Sequence, residues 1–153
     1  GTKYLEEIVR NHTSGQMKIA PEHTSEAILR LMGKPSQASL NDFTENFFRI
    51  SQKAGKNQFL TYYFIAAHPG CQEGDMRELK RYASGKLNIN PEQVQIYTPT
   101  PSTWSSLMYY TGMNPFEKKN GKYAPLFVER SAAKKIRQKE VLTEKKYIQN
   151  LKK

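Results

Sequence analysis

The stretch Phe59-Leu60-Thr61-Tyr62-Tyr63-Phe64-Ile65-Ala66-Ala67, broken at once by His68-Pro69-Gly70, decides the fold. Nine residues rich in aromatic and β-branched types have the length of a strand and fall far short of a membrane span. Their near-continuous apolarity predicts a strand covered on both faces, as in a parallel sheet. Pro69-Gly70 removes a donor and supplies a turn, so the chain leaves the sheet there.

Working outward, the pattern alternates. Upstream, Gln16 to Ala20 reads as a short strand ended by Pro21. Thr24 or Ser25 opens a helix from Glu26 to Met32, which Gly33 and Pro35 stop. A second helix is predicted over Leu40 to Lys53, with Asn41 or Asp42 as its cap and Phe43, Phe47, Phe48 and Ile50 as its apolar residues. A short helix from Tyr4 to Arg10 precedes these. Downstream, Asp75 to Leu87 reads as a helix, Val94 to Thr98 as a third strand, Leu107 to Phe116 as an irregular segment or short helix, and Ser131 to Leu151 as a final helix. Repeated βα alternation predicts parallel strands with right-handed crossovers. Three strands with two unpaired edges make a thin sheet, which points to part of a larger α/β unit.

Composition bounds the function. The chain has 153 residues, a net charge of +10 and one cysteine. Gly1 to Glu117 holds 12 basic and 11 acidic residues, whereas Lys118 to Lys153 holds 12 basic and 3 acidic. The body is thus nearly neutral and the tail carries the charge. The lone Cys71 excludes a disulfide framework or a multi-cysteine metal site built by this chain alone. No apolar run approaches a membrane span, and no signal-peptide core is present, so a cytoplasmic location with no membrane partner is expected.

In parallel α/β folds, ligands gather beyond the C-terminal ends of the strands. Here those ends read Pro21-Glu22-His23-Thr24-Ser25, Ala67-His68-Pro69-Gly70-Cys71 and Tyr97-Thr98-Pro99-Thr100-Pro101. Two readings stand for each. Glu22, Thr24 and Ser25 suit a ligand and equally suit helix capping; His68-Pro69-Gly70 suits a site and equally suits a tight turn. Three polar loops on one rim favour a ligand site without identifying the ligand. His12, His23 and His68 lack metal-ligand spacing, and no metal site is expected. Cys71 has no obvious base beside it and reads as a small filler. No phosphate-binding glycine loop is present.

At these loops the chain resembles the radical S-adenosylmethionine (SAM) enzymes. Ile19-Ala20-Pro21-Glu22-His23-Thr24-Ser25, followed by Ile28-Leu29-Arg30-Leu31-Met32-Gly33-Lys34-Pro35, is similar to their "G-[IVL]-E-S-G-S … V-L-x-x-[MI]-x-K" segment. Tyr63 to Gly70 is similar to "F-I-x-G-L-P-G", and Tyr97 to Thr103 to "Y-P-x-P-G-T". His12 to His23 and Met108 to Phe116 resemble the YgiQ-type branch most closely.

The resemblance implies the C-terminal half of a partial (β/α)6 TIM-like barrel over residues 1–116, with a basic, mostly helical extension over 117–153. It also implies a [4Fe–4S] cluster on three cysteines spaced Cys-x3-Cys-x2-Cys, which this chain lacks. The expectation is therefore an SAM- and substrate-side fragment, inactive alone, whose partner is the N-terminal half of the same protein. By position, Glu22 is implied as an SAM contact, supported by Thr24 and Ser25, with backbone from Ile65 through Ala67 and His68 beside the adenine. Tyr97, Thr98 and Thr100 are implied on the side of an unknown substrate. His23 and His68 depart from the Ser and Leu of the wider superfamily, and two readings stand for them: contacts to that substrate, or structural residues specific to this branch. The alternative class is a basic α/β module that binds RNA. For the tail, a solvated helix with one narrow apolar stripe is expected ahead of a nucleic-acid arm. Self-association through the open sheet edge is a further expectation.

Overall fold

In a computed structural model of the chain, residues 1–144 are described. Three parallel strands form one sheet in the order β1 (Gln16–Glu22), β2 (Phe59–Ala66), β3 (Gln93–Ile96). Helices α1 (Thr2–Glu7), α2 (Glu26–Met32), α3 (Gln37–Lys53) and α4 (Glu73–Gly85) connect or precede them. After β3 come α5 (Trp104–Thr111), an antiparallel hairpin of β4 (Met113–Lys119) and β5 (Lys122–Pro125), and α6 (Ala132–Thr143). The α/β class and the parallel three-stranded sheet are as the sequence implied.

The expectation of a sheet covered on both faces is corrected. Along β2, Leu60, Tyr62, Phe64 and Ala66 are buried, while Phe59, Thr61, Tyr63 and Ile65 alternate with them and retain solvent contact. The buried set joins Val9, Ile28, Phe47, Ile50, Met76, Leu79, Val94 and Leu142 in one apolar cluster. Every contributing helix therefore lies on the same face. The opposite face is mixed, with polar contacts interspersed among Phe59, Tyr63 and Ile65. Gln16 donates to Thr61 Oγ1 at 3.0 Å, Lys18 Nζ lies 5.6 Å from the centre of the Tyr63 ring, and the Tyr63 hydroxyl donates to Gln95. Aromatic residues on that face, Tyr63 above all, made β2 read as doubly buried.

Local chemistry fixes the ends. Gly33 takes a left-handed φ of 66°, and the Gly33 and Lys34 amides return to the Arg30 and Leu29 carbonyls at 3.2 and 2.9 Å, closing α2. Serine rather than asparagine caps α3: the Ser39 amide donates to Ser36 Oγ at 3.3 Å, so the helix starts at Gln37, ahead of Leu40. Pro21 sits inside β1 at a register irregularity between Ile19 and Glu22. Past α1 a single π turn, Ile8–His12, leaves carbonyls that need donors. Gln58 Nε2 donates to the Val9 and Thr13 carbonyls at 2.9 and 2.5 Å, which anchors the N-terminal segment under the sheet.

The β4–β5 hairpin runs from Met113 to Pro125. Helix α6 is docked rather than loose. Val141 and Leu142 enter the core cluster, and Lys80 of α4, 5% exposed, donates to Asn90 Oδ1 and to the Leu142 and Glu144 carbonyls at 2.6–2.8 Å. A buried ammonium satisfied by three oxygens at a helix C-terminus offsets its desolvation. The predicted extension of this helix to Leu151 lies outside the described residues. Leu142→Ala is expected to cost about 3 kcal/mol in urea unfolding, as for a core leucine; a cost within about 0.5 kcal/mol would mean a solvated helix.

Candidate functional site

Parallel strands deliver their C-terminal ends to one rim, and strain collects there. Of five non-glycine residues with positive φ among the described residues, three sit at that rim: Glu22 at 65°, Ala67 at 59° and Ser102 at 61°. Each bends the backbone sharply where a strand ends or a loop turns, a conformation costing about 1 kcal/mol or more that the surrounding bonds must hold.

Two bridges join the three loops. The first links β1 to β2. His23, 1% exposed, accepts the Ser25 amide on Nδ1 at 2.9 Å, which leaves its proton on Nε2, facing Cys71 Sγ at 3.7 Å. The Cys71 thiol in turn lies 3.5 Å from Gln138 Oε1. Gln138 of α6 also accepts the Ala67 amide at 2.9 Å and donates to the Cys71 carbonyl at 3.3 Å. One buried amide therefore holds the strained end of β2 and pins α6 to the rim. The second bridge links β2 to β3. His68 donates from Nδ1 to the Pro69 carbonyl at 2.8 Å, so Nε2 accepts the Ser105 hydroxyl at 2.8 Å, and its ring meets Tyr97 edge-on at 5.1 Å.

His23 adjoins Cys71 but turns its protonated Nε2 toward the sulfur, so no basic nitrogen faces the thiol and the pair is not a nucleophilic one. Burial, reinforced by Asp75, pushes the Cys71 thiol up to about 12. Burial lowers His23 to about 4 against the opposing pull of Asp75, and burial lowers His68 to about 4. A neutral thiol donating to an amide and a neutral imidazole make a structural hydrogen-bond chain.

The remaining candidates divide by exposure. Glu22 is half-buried and its carboxylate pairs with Lys34 Nζ at 2.9 Å. Thr24 is buried, and Ser25 stands at the start of α2 without a side-chain capping bond. Tyr97 is half-buried with its hydroxyl 3.4 Å from Ser106 Oγ; Thr98 and Thr100 are exposed. Beside Glu22 and Lys34, Ile19, Pro21, Leu29, Leu40 and Phe43 line an apolar hollow of about 270 Å³. Lys34 and Gln138 were not among the sequence candidates. Lys34 stands in the quoted motif and could have been found there; nothing in the sequence marks Gln138. Among the described residues no three His, Cys, Asp or Glu side chains cluster as a metal site, and no helix is long and apolar enough to cross a membrane.

Residues 92–147, which run from the start of β3 through α6, match a family described as a domain of unknown function, DUF3362. The chain is 58% identical over 146 residues to a UPF0313 protein of Fusobacterium nucleatum, covering 95% of this chain and 25% of that protein. It is 40% identical over 139 residues to a UPF0313 protein of Clostridium perfringens, covering 91% of this chain and 20% of the relative. A UPF0313 protein of Porphyromonas gingivalis is 46% identical over 114 residues, 74% of this chain and 18% of its own length. The chain is thus homologous to a segment of UPF0313 proteins and spans about a quarter or less of the length of these curated relatives.

Two buried neutral histidines set a pH limit. Their folded-state values lie below the unfolded 6.5, so the unfolded chain takes up protons first as pH falls. Stability is full above pH 6.5 and is lost between 6.5 and 4, by roughly 2 to 3 kcal/mol per histidine at the lower end. Urea unfolding at pH 7.5 and 5 checks this; His23→Gln or His68→Gln should flatten the dependence. Assigned His23 or His68 imidazole signals titrating near 6.5 in the folded chain would contradict it.

Proposed function

We propose that this chain is the SAM- and substrate-side wall of a radical SAM barrel, with the [4Fe–4S] cluster held by another part of a longer protein. The observation that carries the reading is the one-sided sheet: helices on one face, an open mixed face with polar contacts on the other, and a strained loop rim at the strand ends. A barrel wall needs an inner face able to meet a ligand and an outer face packed on helices. The ordered motif resemblance and the small share of each relative that the chain spans support it further.

The residues fit SAM and not the cluster. Cys71, the one thiol, is fully buried and bonded to Gln138, so no iron ligand comes from this chain. Glu22 offers a carboxylate at the rim for the SAM ammonium or ribose hydroxyls, by charge-assisted bonds. Lys34 holds that carboxylate in place. Thr24 and Ser25 complete the loop beneath it. The turn at Ala67 is stiffened by Gln138, and the backbone of Ile65 to His68 would hold the adenine. Tyr97, Thr98 and Thr100 form the substrate side. His68 reaches it through the Ser105 hydroxyl, and His23 steadies the Glu22 loop from below through Ser25. The cluster and SAM together supply a 5′-deoxyadenosyl radical; the protein supplies binding and orientation.

The test uses the longer Fusobacterium relative alongside this chain. Purified without oxygen and reduced with dithionite, the relative is expected to release 5′-deoxyadenosine from SAM. Replacing its residue at the position of Glu22 by Ala should weaken SAM binding about tenfold or more. The 153-residue chain, reconstituted with iron and sulfide, should hold no cluster. A stable cluster on the short chain, or no deoxyadenosine from the relative, would overturn the reading.

A further inference from the structure

We infer that α5 and the β4–β5 hairpin form a binding surface for single-stranded nucleic acid. The basic C-terminal segment itself holds few aromatic residues. The fold supplies them from elsewhere. Trp104 at the start of α5 meets Phe116 of β4 edge-to-face at 5.6 Å, and both rings are more than half exposed. Two residues on, Lys118 Nζ lies 4.9 Å from the centre of the Tyr123 ring across the hairpin, and that ring is also half exposed. Further along α5, Tyr110 is 71% exposed and meets the Tyr109 ring edge-on at 5.4 Å.

Flat exposed rings interleaved with cations are the elements of a stacking platform. Between Trp104 and Lys135 the chain carries six Lys or Arg and only Glu117 and Glu129 as acids. Both acids are engaged locally, Glu117 with Lys119 at 3.3 Å and Glu129 with the Ser131 amide at 2.9 Å. The hairpin tip, Lys118-Lys119-Asn120-Gly121-Lys122, is three lysines on a two-residue turn. Phe116 also lines a groove of about 530 Å³ between α2 and the hairpin, together with Arg30, Gly70 and the Lys119-paired Glu117. At Gly70 the groove reaches the rim, where the Gly70 amide donates to the Phe127 carbonyl at 2.7 Å. An apolar protein partner would fit the rings and leave the lysines unmatched; an acidic one would fit the lysines and leave the rings idle. A single strand satisfies both, through phosphates and base stacking. The inference does not depend on SAM or a cluster.

Trp104 is the only tryptophan of the chain, so its fluorescence reports on this surface alone. Titration with a 12-nucleotide oligouridylate in low salt, without SAM, is expected to give saturable quenching. Oligodeoxythymidylate and a short RNA duplex form parallel arms, and polyglutamate is the charge-only control. Lys118→Glu, Lys119→Glu and Lys122→Glu together should weaken binding at least about tenfold and lower the salt slope by about 2. Phe116→Ala, at an exposed position that folding does not need, should weaken it about fivefold or more by anisotropy of a labelled strand. No quenching by either single strand, equal binding of polyglutamate, stronger binding of duplex, or full affinity in Phe116→Ala would each overturn the inference.

Discussion

The structure depends on one asymmetry: a three-stranded parallel sheet that buries only one of its faces. The buried apolar side chains of α2, α3, α4 and α6, among them Ile28, Phe47, Leu79 and Leu142, join Leu60, Tyr62, Phe64 and Val94 in one cluster. That choice leaves Lys18, Thr61, Tyr63 and Gln95 on an open face, and it leaves the outer edge of β1 without a partner strand among the described residues. A free sheet of this kind exposes backbone donors and acceptors along a whole strand. The same asymmetry is what a segment of a closed or partly closed barrel has to show, because such a segment meets its neighbours edge to edge and its ligand face on.

The rim follows from the sheet. Parallel strands end together, and each of the first two ends in a residue driven to positive φ, where the chain turns away into a helix. Such turns persist only when held. Gln138 holds the second through the Ala67 amide and the Cys71 carbonyl, and the Glu22–Lys34 pair braces the first. His23 and His68, set between loops as neutral hydrogen-bond partners, lock the three strand ends to one another. Polar groups buried this way cost stability unless every one is satisfied, and here both histidines have both ring nitrogens engaged. Rigidity beneath the rim is compatible with exposed Thr98 and Thr100 above it.

Much of this was legible in the residues. The βα order, the three strands, the end of α2 at Gly33 and the gathering of polar loops all follow from periodicity and turn chemistry. The open face was not legible, because Phe59, Tyr63 and Ile65 give β2 a doubly apolar pattern, although Tyr63 spends its hydroxyl on Gln95. The hairpin was missed for the opposite reason. Asn120-Gly121, at φ of 51° and 75°, is a strong signal for a two-residue turn. Its flanks, Glu117-Lys118-Lys119 and Lys122-Tyr123, carry no apolar alternation to announce strands. Gln138 lay beyond reach because its role is purely tertiary: a polar residue in a basic helix gains its partners only when α6 packs against α4.

The central claim is that β1 is an inner strand of a larger sheet in the longer proteins that contain this segment. Hydrogen exchange along β1 tests it most directly, measured for the 153-residue chain and for the matching strand of the Fusobacterium relative. The account predicts fast exchange at the β1 amides that face away from β2 in the short chain, and protection at least about a hundredfold greater in the relative. Equally fast exchange in both would contradict it.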